Sequence, residues 1–241
     1  MAMYKHLFKL CPLCFKGKLV GYPEAKCDKC GKVRPTPAAW ARGSEIGASL
    51  ENYVKGKDKK LHPEITHPVV KKLASKLRAG FKKGWVQVEK LYSFTKDWRL
   101  IPGEGWTREA WLFVKMDVET DEGSDAAGVV DWKTGGIDNR TGEIRSAGKY
   151  GDQLRTYQVA KLIISPGAKL ATAGLCCVDA GHDIDPRVMV EPLAREDLDK
   201  EKKRLTKLAL PLLTDDTFAP RPSDKCRWCD YSKGKGGPCP F

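Results

Sequence analysis

The stretch Gly128–Gly135 reads GVVDWKTG and carries the residues that decide both the fold and its chemistry. Its small and β-branched residues predict a strand, which the Thr134–Gly136 segment ends. Because strand side chains alternate between two faces, Asp131 and Lys133 project from the same face. A carboxylate and an ammonium therefore stand side by side at the end of an apolar strand.

The preceding strand, predicted over residues 109–118, ends at Asp117. Six acidic residues and no basic one lie between Asp117 and Asp131, in a chain whose formal net charge is +12. A hard cation such as Mg²⁺ or Mn²⁺ explains this local reversal, because it binds carboxylates, water and phosphate oxygens. Metal-assisted phosphodiester hydrolysis fits this arrangement, with Lys133 orienting or deprotonating the attacking water. The alternative is an exposed Asp-Lys strand pair beside a solvated hairpin loop.

The remaining hydrophobic pattern predicts one α/β domain with a mixed sheet flanked by helices. No phosphate-binding loop or dinucleotide fingerprint is present, which argues against P-loop NTPases and nucleotide-dependent dehydrogenases. The predicted strands cover residues 85–95, 109–118, 127–134 and 169–179. The predicted helices begin after Pro37 and cover residues 63–81, 150–164 and 195–213.

Two CxxC pairs near the start predict a closed zinc site. They comprise Cys11, Cys14, Cys27 and Cys30. Pro35 and Pro37 then indicate a boundary. We therefore expect a zinc ribbon over residues 1–37 and a second domain over residues 38–241, with a Cys-containing tail from about residue 218.

The positive charge indicates a polyanionic partner, and it is densest from Lys55 to Lys83, which contains ten basic and two acidic residues. The alternative is an ordinary solvated helix face. The candidate DNA-contacting residues are Lys71, Lys72, Lys76, Arg78, Lys82 and Lys83. No stretch is apolar enough to cross a membrane, and no signal peptide is recognisable, so a cytoplasmic protein is expected.

Four segments together resemble the RecB-like branch of the PD-(D/E)XK nuclease superfamily, which includes lambda-type phage exonucleases. GVVDWKTG resembles its signature strand, and the segment from Gln153 to Tyr157 resembles its QxxxY helix motif. The VKMD segment ending at Asp117 resembles the strand with the other metal-binding Asp. The segment from Arg42 to Tyr53 resembles its first helix. The resemblance covers about residues 40–241 in family order.

This resemblance implies a restriction-endonuclease-like fold with a catalytic Mg²⁺ or Mn²⁺ ion. Asp117 and Asp131 would bind the metal together with the main-chain carbonyl of Trp132. Lys133 would be the catalytic lysine. Gln153 and Tyr157 would position DNA or the active-site strands.

The sequence departs from the family pattern in the first helix. Many members have a metal-binding His there, where this chain has Gly47. The departure implies a lambda-type site, reduced activity or a different metal preference. Glu51, one helical turn further, and Glu89 on the first strand are additional candidate ligands.

The cysteines of the tail, Cys226, Cys229 and Cys239, also resemble the family, in which such residues contribute to an iron–sulfur cluster. An intact zinc ribbon leaves the tail one cysteine short of such a cluster. We therefore favour zinc in the ribbon, and either a second metal site or free thiols in the tail. Cys176 and Cys177, on a predicted strand, are expected to be buried.

These features predict a metal-dependent DNA nuclease that acts in DNA processing, recombination or repair. An exonuclease is favoured over an endonuclease, and a phage-type enzyme is one interpretation. The alternative is a catalytically weakened DNA-binding or adaptor protein that uses its zinc ribbon for recognition. Expected partners are DNA and a recombination or single-strand-binding protein. A lambda-like oligomer is compatible with the resemblance.

Overall fold

A computed structural model describes residues 38–103, 107, 109–121, 125–138, 140–144, 150–215, 217, 219–223, 226, 229, 232–235 and 239–240. Residues Ala38–Leu205 make up one compact unit, and the residues from Thr206 onward belong to another. The predicted zinc ribbon lies outside the described residues, and the domain boundary near residue 37 stays a prediction. No described helix is long and apolar enough to span a bilayer.

Along the described part of the chain, two helices precede four strands, and one helix, three strands and a last helix follow them. The helices are α1 (Ala38–Val54), α2 (Pro68–Lys83), α3 (Gly151–Ile164) and α4 (Leu198–Thr214). The strands are β1 (Val86–Phe94), β2 (Leu100–Ile101), β3 (Leu112–Thr120), β4 (Ala126–Lys133), β5 (Leu170–Cys177), β6 (Arg187–Met189) and β7 (Leu193–Ala194).

The strands form a single mixed sheet in the order β2-β1-β3-β4-β5-β6, with β7 paired to β5. β4 and β5 are parallel and are joined through α3, whereas the other pairs are antiparallel. The prediction of a mixed sheet flanked by helices is confirmed. The sequence did not reveal β2, β6 and β7, because strands of two or three residues are too short to show alternation.

Helix α2 begins later than the sequence pattern suggested, at Pro68 rather than near residue 63. The His67 side chain accepts a hydrogen bond from the Val69 backbone N–H at 3.2 Å and caps the helix. Pro68 suits the first helical turn because that turn needs no backbone donor. Gly84, with φ of 83°, ends the helix in the left-handed conformation.

The core beneath α1 and α2 positions the signature strand. Ile46 and Leu50 of α1 are fully buried in a cluster that also contains Val118 and Trp132. Because neighbouring side chains of a strand point to opposite faces, burial of Trp132 in this cluster directs Asp131 toward α3. The packing of an apolar side chain thus fixes the direction of a charged one.

Candidate active site

The two predicted metal-binding aspartates lie at the point where β3 and β4 separate. The hydrogen-bonded register runs from Thr120↔Gly128 to Val118↔Val130. Asp117 and Asp131 occupy the next positions on the two strands, just beyond the pair formed by Val118 and Val130. The strands therefore bring together two carboxylates that are 14 positions apart in the sequence.

Asp117 is half-buried and has a backbone partner. The Trp132 N–H donates to Asp117 Oδ2 at 2.9 Å, which links the carboxylate directly to the neighbouring strand. Burial, followed by the negative charge of Asp131, raises the pKa of Asp117 to about 7. A raised pKa means that the surroundings disfavour the negative charge of the carboxylate, so a nearby cation would stabilise the charged form.

Asp131 is 1% exposed and is held by α3. Its Oδ1 accepts hydrogen bonds from Tyr157 Oη at 3.1 Å and from Gln153 Nε2 at 3.3 Å. Gln153 Nε2 also donates to Tyr157 Oη at 2.6 Å, so the two residues act as one unit. The one-turn spacing of Gln153 and Tyr157 places both on the face of α3 that meets Asp131.

The pKa values of this group reflect burial. Burial raises the pKa of Asp131, although the Lys133 ammonium opposes that shift. Burial and the adjacent Asp131 charge also raise the pKa of Tyr157, so its hydroxyl stays protonated and remains a donor. The Asp131 carboxylate thus accepts two hydrogen bonds on its Oδ1.

The second carboxylate oxygen of Asp131, Oδ2, has a different environment. Asp131 Oδ2 is buried and accepts no hydrogen bond of ordinary geometry among the described residues. It forms an ion pair with Lys133, whose side chain is 24% exposed. The Lys133 Nζ also lies 5.4 Å from the ring centre of Tyr150. Lys133 therefore joins the buried carboxylate to solvent.

Asp117 and Lys133 border an open cleft of about 730 Å³, lined on one side by α1 and on the other by the sheet and the loop after β4, and the buried Asp131 lies behind Lys133. The spacing of the α1 residues places them on one helix face. The α1 residues in the lining are Ala39, Trp40, Gly43, Ser44, Ile46, Gly47 and Glu51. The opposite lining consists of Glu89, Asp117, Trp132, Lys133, Thr134, Gly135 and Gly136.

The position of the missing family His lies in this cleft. A Cβ atom built on Gly47 would have no atom within 4 Å, so the glycine leaves open space. Glu51 and Glu89 also line the cleft, but each is ion-paired, with Lys55 and Lys115 respectively. Glu89 has a φ of 56°, a strained value for a residue other than glycine.

A second network, which sequence reasoning missed, holds α1 against the loop after β4. Arg42 donates to both oxygens of Asp179, at 2.9 and 2.7 Å, and to Glu64 at 2.6 Å. Asp179 Oδ2 also accepts from the Gly135 N–H at 2.7 Å. Arg42 and this N–H lower the pKa of Asp179. No local pattern signals this contact, because Arg42 and Asp179 are 137 residues apart.

A third network neutralises part of the acidic segment. Lys161, 1% exposed, donates to Glu119 at 3.1 Å and to Asp121 at 2.6 Å, and Tyr92 Oη donates to Glu119 at 2.9 Å. Lys169 pairs with Asp125 at 2.7 Å. Glu119, Asp121 and Asp125 are therefore paired with lysines, and Asp117 and Asp131 stay the candidate metal ligands. Lys161 continues the Gln153 and Tyr157 spacing by one turn, a signal that could have revealed its role.

The candidate DNA-contacting residues lie on α2, and five of the six are exposed lysines. Arg78 differs, because it donates to the Asp58 carbonyl at 2.6 Å and lies 4.6 Å from the Tyr53 ring centre. Arg78 therefore has a structural function in addition to any contact with nucleic acid. The lysines on the same helix remain available to solvent.

Cys176 and Cys177 are buried on β5, as the sequence predicted. Among the described residues, Cys226, Cys229 and Cys239 of the tail form no disulfide. Within the described ranges, no three His, Cys, Asp or Glu side chains form a group that could hold a metal ion. A second metal site in the tail stays a prediction, and Cys11, Cys14, Cys27 and Cys30 lie outside the described residues.

Asp117 and Asp131 suit a hard divalent cation. A site for Mg²⁺ needs one or two carboxylates, with water and substrate phosphate completing the coordination. The pair supplies two carboxylates beside an open cleft, and the buried Asp131 Oδ2 lacks a regular hydrogen-bond donor. The donor set therefore fits Mg²⁺ or Mn²⁺ without a third protein carboxylate.

One of three comparisons with known proteins identifies a family. The family model described as the PD-(D/E)XK nuclease superfamily matches residues 9–233. Among solved structures, the crystal structure of SSO0001 matches with 16% identity, over 83% of this chain and 80% of that chain, at a TM-score of 0.33. No curated protein matches the chain.

Proposed function

This chain belongs to the PD-(D/E)XK nuclease superfamily, and on that premise we propose that it is a divalent-metal-dependent DNA nuclease whose active site is the cleft beside α1. The observation that carries the proposal is the pair of carboxylates, Asp117 and Asp131, where β3 and β4 separate. Lys133 extends from the buried Asp131 toward solvent at the same point. A substrate phosphate in this cleft would meet both the acidic and the basic group.

Asp117 and Asp131 would hold the metal ion, with the main-chain carbonyl of Trp132 as a further ligand. When bound, Mg²⁺ or Mn²⁺ supplies Lewis acidity and a water of lowered pKa. Lys133 orients the attacking water and offsets the negative charge that develops on the phosphate. Gln153 and Tyr157 fix the orientation of Asp131 through its Oδ1.

We also propose that the enzyme degrades DNA from an end, in recombination or repair, and that residues 1–37 form a zinc ribbon that helps to bind DNA. The exposed lysines of α2 would supply phosphate contacts that carry no sequence information. Their contribution should weaken steeply with added salt. Comparison of linear with covalently closed circular DNA separates an exonuclease from an endonuclease. Metal analysis of the purified full chain tests the zinc.

Cleavage of end-labelled linear DNA in Mg²⁺ or Mn²⁺ tests the activity. Lys133→Ala and Asp131→Asn should each reduce the cleavage rate by about 10²–10⁴-fold, because each removes a group that acts directly at the phosphate or metal. Lys169→Ala is the matched control, since it removes a lysine from an exposed Lys-Asp pair outside the cleft. Cleavage that survives both active-site substitutions would refute the assignment.

The open space at Gly47 favours a second candidate, a DNA-binding or adaptor protein with weakened catalysis. Calorimetric titration of the metal-free chain with Mn²⁺ distinguishes the two functions. A nuclease should bind Mn²⁺ in a manner that Asp117→Asn abolishes. Gly47→His adds an imidazole where the space is open, and a gain in Mn²⁺ affinity without DNA cleavage would support the adaptor.

A further inference from the structure

Trp40 is the most exposed large hydrophobic residue that the structure describes, at 69%. Exposure of a whole indole ring to water is unfavourable, because burial of a tryptophan removes a large apolar area. Trp40 also lines the cleft, at the end of the α1 face opposite to Glu51. An exposed aromatic ring in a cleft that also contains Asp117 and Lys133 indicates a ligand with a flat apolar face.

Near Trp40, α1 lies close to the loop after β4, and a Cβ atom built on Gly135 of that loop would have no atom within 4 Å. Gly43, one turn along α1, approaches Thr134 so closely that a Cβ atom there would lie 2.9 Å from its Oγ1. This end of α1 therefore faces the loop after β4, where Gly135 and Gly136 have φ of 70° and 71° and no side chains. Glycines at such values allow another molecule to approach the backbone.

The carboxylates Glu51 and Glu89 lie at one end of the cleft, and this asymmetry favours one orientation of a bound ligand. Glu51 and Glu89 line the cleft away from Trp40, and they are paired with Lys55 and Lys115 respectively. Trp40 and the uncharged loop form the other end. Gly43, which approaches Thr134, is three positions from Trp40, or roughly 4.5 Å along the helix axis. Because Thr134 follows Lys133 in the chain, a nucleic-acid strand whose phosphate reaches Lys133 would extend a neighbouring base toward Trp40.

We propose that Trp40 is a stacking platform for an unpaired nucleobase adjacent to the scissile phosphate, and that the cleft accepts a single-stranded DNA end. This inference rests on the proposed nuclease function and adds the substrate form. A base within a duplex has both faces covered by its neighbours, whereas an unpaired base exposes a face to an aromatic ring. Stacking of this kind tolerates any sequence because every base has such a face.

The test measures binding of single-stranded oligonucleotides to the full chain in an Asp131→Asn background, which prevents cleavage. Trp40→Ala should weaken binding by about 5- to 150-fold, whereas Trp40→Phe, which keeps an aromatic ring, should retain most of the affinity. An abasic position at the contacted nucleotide should weaken binding to the parent protein but add little in Trp40→Ala. The affinity for blunt duplex DNA should fall by a smaller factor in Trp40→Ala.

A spectroscopic readout reports stacking directly. 2-Aminopurine placed at successive positions from the end should be quenched at one position by the parent protein and Trp40→Phe, and not by Trp40→Ala. Equal affinity of the parent and Trp40→Ala for every oligonucleotide would overturn the inference. So would a large loss of thermal stability in Trp40→Ala, because it would show that protein covers the ring.

Cleavage by the wild-type protein separates this inference from the proposed function. If wild type cleaves neither single-stranded nor duplex DNA in Mg²⁺ or Mn²⁺, the nuclease proposal fails. If wild type cleaves single-stranded DNA, and Trp40→Ala loses neither affinity nor rate on it, the stacking proposal alone fails.

Discussion

Two clusters of charged side chains lie within a few residues of each other on β3, and they differ in how their charge is satisfied. In one, Glu119 and Asp121 share the buried Lys161, and Asp121 remains 45% exposed and also accepts from Ser165. In the other, Lys133 pairs with Asp131, which is buried and lies near a second carboxylate, Asp117. Each cluster contains two carboxylates and one lysine, so charge count alone does not distinguish structure from function.

The position of the lysine and of the second carboxylate makes the difference. Lys161 is 1% exposed and enclosed by its partners, whereas Lys133 is 24% exposed and borders the cleft. At the Lys161 cluster, solvent and hydroxyl groups stabilise the surplus negative charge. At the Lys133 cluster, burial keeps the pKa of Asp117 raised, to about 7. The first arrangement holds α3 to β3, and the second retains a capacity to bind a cation.

The largest stability effect is expected at the first cluster. Lys161→Met leaves Glu119 buried without its cation, which costs about 3–5 kcal/mol of the free energy of unfolding. Denaturant unfolding monitored by circular dichroism measures this loss. The double variant Lys161→Met with Glu119→Gln should recover part of it, because no buried charge remains unpaired. A single variant as stable as wild type would show that the cluster does not hold the two elements together.

A smaller change in the free energy of unfolding, of opposite sign, is expected at Asp117, two residues before Glu119. Asp117→Asn removes the repulsion between buried carboxylates and should raise the stability of the metal-free protein by about 1–2 kcal/mol. Glu119→Gln, the matched change on the same strand, should lower it because Lys161 loses a partner. Thermal unfolding in a chelator measures both. Mg²⁺ or Mn²⁺ should stabilise wild type and not Asp117→Asn, and destabilisation by both substitutions would contradict the comparison.

The smallest effect is expected at Asp179, and it should depend on pH. Arg42 and the Gly135 N–H hold the pKa of Asp179 below its ordinary value of 3.8. The stabilisation is therefore complete above that value, and it is lost as the pH falls through the lowered pKa. Asp179→Asn should cost about 1 kcal/mol at pH 7, because the pair is partly solvated.

Thermal unfolding between pH 3 and pH 7 measures this difference between wild type and Asp179→Asn. The two melting temperatures should converge toward pH 3. Asp125→Asn is the control, since Asp125 forms an exposed ion pair with Lys169 and has no ion pair with α1. A gap that stayed constant with pH would show that the carboxylate charge of Asp179 does not matter.

Local patterns were sufficient where the spacing itself creates the contact. A two-residue spacing places Asp131 beside Lys133, and a four-residue spacing places Gln153 beside Tyr157. Long apolar runs likewise predicted the main strands. The start of α2 was misplaced because the His67 cap depends on the side chain of one residue. The acidic segment was interpreted as a single feature because its compensating lysines lie about 40 residues downstream.

The sequence by itself determined the mixed α/β fold, the family and the residues that carry charge at the end of β4, since these depend on periodicity and short motifs. The tertiary structure decided which of those charges remain available. It assigned Glu119 and Asp121 to Lys161, and it left Asp117 and Asp131 beside an open cleft. It also placed Trp40 in that cleft. The physical reason is that burial and partner choice arise from contacts between distant segments, which no local spacing specifies.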